Sequence, residues 1–255
     1  MTKWLPPLRS ILPAEHGAWF MLGFPLVLGL LLRPSLAGLC LGLAALAFFL
    51  SRPPLRRVLQ GQRDPAQILA LLLLGALAIA FGLLALAMTG ARFLIPLACV
   101  GPLVFLALRA DLTRTTRSLA VEMAAQGAFA GLAAAMLVAG GDPLSGALRA
   151  WWFVTLVGSA NLAHVRRWLG HAHGLVAAEL RHRLVIVHLL HALLVGTSAL
   201  LLASRGLAGI LWTAWTALLY LRALAPYRLV PARTLGWREG GLSVIGLALL
   251  WRALL

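Results

Sequence analysis

Apolar and polar positions alternate along this chain in long blocks and not residue by residue. Nine mostly apolar stretches lie near 15–32, 35–51, 66–89, 92–108, 118–139, 146–164, 184–203, 206–222 and 238–254. Each has about the 17 to 25 residues that a helix needs to cross the ~30 Å hydrocarbon core of a bilayer. Tight connections at Arg33-Pro34, Thr89-Gly90-Ala91, Gly140 to Pro143 and Ser204-Arg205-Gly206 carry the Gly and Pro residues that punctuate helix turns. The other connections, 52–65, 109–117, 165–183 and 223–237, are longer and richer in arginine. The pattern predicts an all-α, polytopic transmembrane helical bundle, organised as a single domain over 1–255. Lys3 and Arg9 precede the first apolar run, and no small-residue cleavage site follows it, so that run reads as a retained helix.

Charge fixes the expected orientation. With the N-terminus inside, 17 of the 22 lysines and arginines fall on cytoplasmic connections, and five (Arg33, Arg92, Arg149, Arg205 and Arg252) fall outside. Basic residues resist translocation, so this asymmetry places the N-terminus and the long connections in the cytoplasm. Composition agrees with a lipid-solvated chain. Of 255 residues, 62% are hydrophobic and 11% charged, and mean hydropathy is +0.93. A water-soluble domain of this size keeps about a quarter of its residues charged. The net charge of +15 does not indicate nucleic acid, because the arginines are segregated between apolar runs where an anionic leaflet would hold them. The two cysteines, Cys40 and Cys99, lie inside apolar runs and offer no disulfide framework or CxxC pair.

Ionisable groups at membrane depth are costly and usually face a bundle interior or a wet cavity. Here they gather at the cytoplasmic ends of the expected spans. Glu15 and His16 open the first, Glu122 and Gln126 lie early in the fifth, Asn161 and His164 close the sixth, and Glu239 opens the ninth. The spacings 122/126, 161/164 and 188/191 put each pair on one helix face. These residues predict a polar pocket open to the cytoplasm. The same acids at helix starts would also complement the helix dipole or pair with loop arginines.

Two stretches stand out. In Pro13-Ala14-Glu15-His16-Gly17-Ala18-Trp19, Pro13 suits a helix start, and Glu15 and Trp19 share a face. His16 there is a proton shuttle, a metal ligand or a structural donor. In Ser51-Arg52-Pro53-Pro54-Leu55-Arg56-Arg57, guanidinium forks can grip a carboxylate or phosphate. Topology and headgroup anchoring explain most of these arginines, which leaves one or two for a ligand. Seven histidines are present, yet no HExxH or Cys/His spacing appears, so no metal site and no cofactor is assigned. GxGxxG, P-loop and GxSxG motifs are absent as well.

The Glu15-His16-Gly17-Ala18-Trp19 box, followed by Phe24-Pro25 and Gly29, resembles the YwiC-like family of bacterial membrane proteins. That family has a similar Pro-x-(Glu or Gln)-His-Gly-Ala-Trp box. The resemblance extends to an arginine after the second span, a glutamate at the inner end of the fifth, and the Gly236 to Glu239 segment. It implies an architecture and a bacterial inner membrane, and it brings no settled activity. Intramembrane prenyltransferases of the UbiA type are similar in topology, with nine helices, an inside N-terminus and a site under basic loops. Their two Asp-rich motifs are missing here, because residues 51–57 carry three arginines and residues 161–173 carry no aspartate.

The residues therefore predict a cytoplasm-facing pocket for an anionic or amphipathic ligand, such as an isoprenoid or another membrane lipid. In an enzyme, His16 and Glu122 would transfer protons. Arg52 would hold the anionic group, and Glu15, Trp19, Gln126, Asn161, His164 and Glu239 would line or orient the ligand. A divergent lipid-modifying transferase is the most concrete version. A proton-coupled transporter using His188 and His191, and an accessory subunit of a membrane complex, are the alternatives. Neither the substrate nor a protein partner is readable.

Overall fold

The computed structural model describes Leu12 and residues 16–62, 64–113, 118–225 and 230–255. Within them the chain is all helical. The elements are α1 (His16–Leu32), α2 (Leu36–Leu59), α3 (Pro65–Thr89), a 3-10 turn (Ala91–Phe93), α4 (Leu94–Thr113) and α5 (Leu119–Ala139). They continue with α6 (Leu144–Ala172), α7 (Ala177–Leu202), α8 (Gly206–Leu224) and α9 (Ala232–Leu254). All nine expected spans are helices among the described residues, and six of the helices are long and apolar enough to cross a membrane by themselves. The chain is a multi-pass membrane protein.

The main departure from the sequence reading is at the arginine-rich ends, where expected loops are helical. α2 does not stop at Ser51 but runs through Pro53 and Pro54 to Leu59. Each proline removes one backbone donor, which leaves the carbonyls four residues earlier, on Phe49 and Leu50, without their helical partner. The Ser51 hydroxyl donates to the Phe48 carbonyl at 2.7 Å on the same turn. Arg56 and Arg57 end up in the last turn of α2, where cations suit the helix dipole. Likewise α6 and α7 extend to leave only residues 173–176 between them. Apolarity marks the part of a helix inside lipid, and these helices continue beyond it. At the helix starts, Ser35 accepts from Gly38 N at 3.0 Å, Asp64 from Ala66 N at 3.1 Å and Ser118 from Val121 N at 3.3 Å.

The chain divides into two compact units, residues 1–151 and 152–255, with the division inside α6. In the first, α5 is the centre: 61% of its apolar window is buried, against 11% for α3. Ala130, Ala133, Ala134, Ala135 and Met136 are fully enclosed. Small side chains let neighbouring backbones approach closely in lipid, where burial itself supplies little drive. α1, α2 and α4 pack on α5, and α3 packs on α2. Gly29 of α1 makes room for Met136, whose sulfur would lie 3.1 Å from a Cβ placed there. At the turn before α2, Arg33 Nε donates to the Gly140 carbonyl at 2.9 Å and sits 3.6 Å from Asp142 Oδ1.

In the second unit α7 packs on α8, and α8 on α9. Trp212 is fully buried, meets Phe153 edge-on at 6.2 Å, and donates its indole N–H to Ser198 Oγ at 2.9 Å. A buried indole needs such an acceptor, because lipid offers none.

Candidate functional site

Each unit carries its own polar group, so the expected site residues fall into two sets. In the first unit, Trp19 on α1, Arg52 on α2, and Glu122 and Gln126 on α5 all lie at the arginine-rich end. His16 begins α1, but its side chain, and Glu15 altogether, lie outside the described residues. An aromatic row connects the three helices. Trp19 meets Phe49 edge-on at 5.3 Å, and Phe49 meets Phe129 edge-on at 5.7 Å. The Arg52 guanidinium carbon stands 6.0 Å from the centre of the Phe49 ring, on the next turn of α2. Gln126 is buried and Glu122 half-buried. Phe129 follows them by three and seven residues, so all three share one face of α5.

Beside this row opens a crevice of about 820 Å³. Its walls come from α2 between Leu41 and Arg52, α3 between Ala78 and Leu86, α4 between Leu94 and Leu108, and α5 between Ala125 and Ala135. Arg52 is its one polar lining residue among those described, and it stands at the arginine-rich end. Every other lining side chain is aliphatic, aromatic or glycine. The polarity of the crevice is thus confined to the end where Arg52 stands.

The second set lies in the second unit. Asn161 is half-buried on α6, one turn before buried His164. His164 lies within electrostatic reach of Arg167, Arg222 and His191. Arg222 Nη2 of α8 reaches both oxygens of Glu239 on α9, at 2.9 Å to Oε1 and 3.0 Å to Oε2. Arg167 Nη1 donates to the Ala223 carbonyl at 3.2 Å. On α7, His191 Nδ1 is 2.8 Å from the Val187 carbonyl, which can only accept; this nitrogen therefore carries the proton and leaves Nε2 for other contacts. The His191 ring stacks on Tyr220 at 6.0 Å, and His188 Nδ1 lies 3.3 Å from the Tyr220 hydroxyl. Within this unit Arg222 thus pairs with Glu239 within electrostatic reach of His164, and Tyr220 meets both His188 and His191. Among the described residues, no three His, Cys, Asp or Glu side chains come together as a metal site would require.

Sequence reasoning missed Phe49, Phe129 and Tyr220 as parts of these groups. The signal for Phe49 was its position three residues before Arg52, and for Phe129 three residues after Gln126, both helical same-face spacings. Tyr220 is one of two tyrosines in the chain and sits two residues before Arg222, inside an apolar run.

Comparison with known proteins adds one match. A family model described as "YwiC-like protein" matches residues 12–139. The matched segment contains Trp19, Phe49, Arg52, Glu122, Gln126 and Phe129, and it ends before the second polar group begins. No curated protein matches the chain. No solved structure matches it either.

Proposed function

From the premise that the chain belongs to the YwiC-like family, we propose that it is a lipid-handling protein of the bacterial cytoplasmic membrane whose ligand is an anionic amphiphile. The hydrocarbon part lies in the crevice of the first unit and the anionic group meets Arg52 on the cytoplasmic side. The observation that carries this reading is the distribution of polarity along the crevice: one guanidinium at one end and apolar walls everywhere else. A guanidinium is always charged and offers a planar fork to carboxylate or phosphate. The matched family segment encloses every wall of the crevice.

In the catalytic version of this reading, Glu122 is the proton-transfer group at the headgroup, with His16 as its partner and Gln126 as an orienting donor. The reaction class would be modification of the lipid headgroup. Asn161, His164 and Glu239 belong to the other unit and enter this reading only as a second polar group. A proton-coupled transporter is the second reading, and the meeting of His188, His191 and Tyr220 within the second unit favours it, since ionisable clusters inside membrane segments mark proton relays.

The test uses purified full-length protein in mixed micelles with hexadecyl phosphate, hexadecylphosphocholine and hexadecanol as probes. Hexadecyl phosphate should raise the melting temperature of the wild type and bind about tenfold more weakly to Arg52→Ala, as expected for one lost charge-assisted contact. Hexadecanol should bind both proteins alike. If no probe binds, or if Arg52→Ala binds the phosphate as well as wild type does, the lipid reading fails.

A further inference from the structure

The second unit carries a large excess of cations. Residues 152–255 hold ten arginines and two acids, Glu179 and Glu239. Glu179 pairs with Arg183 at 3.1 Å, and Glu239 pairs with Arg222. At this polar group one turn of α6 lies against one turn of α8. Ala163, Val187 and Ala223 pack together, and Arg167 Nη1 donates to the Ala223 carbonyl at 3.2 Å. His164 is within electrostatic reach of Arg222. Trp168 follows Arg167 and shares a helix face with His164, four residues earlier.

Two N–H donors on these turns are sealed from solvent and meet no acceptor among the described residues. They are Nε of Arg222 and the indole Nε1 of Trp168, a side chain only 5% exposed. Glu239 does not relieve them, because both of its oxygens are taken by Nη2 of Arg222. A buried donor without an acceptor is costly, and hydrocarbon offers it no water. Where native proteins keep such groups, an ion or a function is the usual reason. The Arg222 side chain is 30% exposed, so an acceptor can approach it from the arginine-rich end.

We propose that Arg222 and Trp168 form a binding site for an oxyanion, a phosphate or carboxylate, which competes with Glu239 for the guanidinium. Such a group has at least two acceptor oxygens, enough to take Arg222 Nε and the Trp168 indole N–H together. The site uses no residue of the crevice, so it stands or falls apart from the lipid reading of the first unit.

The experiment measures binding and melting temperature of full-length protein in mixed micelles, with phosphate replacing chloride at constant ionic strength. Inorganic phosphate and hexadecyl phosphate are the probes. Every protein carries Arg52→Ala, which removes the cation of the crevice. One phosphate or both should bind and stabilise this parent; inorganic phosphate would identify a free anion, and hexadecyl phosphate alone a lipid headgroup. Adding Trp168→Phe keeps an aromatic ring and removes the donor. It should weaken phosphate about tenfold, as for one charge-assisted bond. Without phosphate its melting temperature should stay level or rise, because an unmet buried donor has gone. A merely structural tryptophan would do the reverse, lowering the melting temperature and leaving binding alone. Arg222→Lys, which keeps the charge and loses Nε–H, should weaken phosphate too and serves if Trp168→Phe does not fold. Glu239→Gln should tighten phosphate by roughly threefold or more, since the competing carboxylate is gone. If neither phosphate binds the parent, if Trp168→Phe binds as its parent does, or if Glu239→Gln binds more weakly, the oxyanion site is wrong. None of these results touches the lipid reading, which is judged with Arg52 in place.

Discussion

The Trp19 indole meets the Phe49 ring edge-on, with centroids 5.3 Å apart and planes at 75°. This contact joins the most distinctive stretch of the sequence to the helix turn that carries Arg52. Phe49 is 1% exposed, also touches Phe129, and bears the Arg52 guanidinium over its ring, so it is the joint between three helices and the cation.

Phe49→Ala should therefore cost about 3–5 kcal/mol, the usual range for emptying a buried phenylalanine site. Trp19→Ala should cost only about 1 kcal/mol, because Trp19 is 37% exposed and gives up mainly an edge-to-face pair. Unfolding in mixed micelles of graded denaturing-detergent content measures both. Equal losses for the two would mean that the indole packs more tightly than its exposure indicates. Phe49→Leu, which keeps most of the volume, should restore stability but loosen the seat of Arg52 and weaken binding of hexadecyl phosphate.

The Arg222–Glu239 contact is a different kind of joint, an ion pair whose side chains are 30% and 11% exposed. Removing one member leaves the other charged beside lipid, so Glu239→Gln or Arg222→Met should each cost about 1–3 kcal/mol. The double variant should recover much of that loss, since no lone charge remains. A double-mutant cycle reads this directly, and a coupling indistinguishable from zero would show that solvent or headgroups screen the pair.

The helical architecture was legible because lipid imposes one simple rule, about twenty apolar residues per crossing. The ends of the helices were not, because beyond the apolar zone nothing obliges a helix to stop. Pro53 and Pro54 in α2 illustrate this: they sit in an otherwise complete helix, with Ser51 bonded to the Phe48 carbonyl beside them. The ionisable residues of the site were visible as exceptions in apolar runs. Their partners were not, because Phe49 and Phe129 look like every other apolar residue until helix order is known. Nor does a sequence show that Trp19 and Arg52 stand in one unit while His164 and Glu239 stand in another.

Gly209 supplies a test of the α7–α8 turn. A Cβ at Gly209 would collide with the backbone carbonyl of Leu202, which also accepts from Arg205 N at 2.9 Å. A backbone obstacle cannot swing aside as a side chain can, so Gly209→Ala should destabilise by about 2–3 kcal/mol. Gly75→Ala is the control: its Cβ meets nothing within 4 Å, and the change should be neutral or stabilising by up to about 1 kcal/mol. If both variants melt with the wild type, the turn is looser than its geometry.

Arg52→Lys separates charge from shape at the head of the crevice. Lysine keeps the cation but replaces the planar fork with a mobile ammonium, and it loses the guanidinium's place over the Phe49 ring. If the ligand group is a phosphate or carboxylate gripped by two parallel N–H donors, lysine should recover only part of the binding that alanine loses. That means roughly a three- to tenfold deficit for lysine against wild type, about 1 kcal/mol, with alanine weaker still. The salt dependence should follow charge alone, alike for arginine and lysine and flatter for alanine. Full recovery by lysine would instead describe a cation that attracts the headgroup from a distance, and the fork geometry would then play no part in recognition.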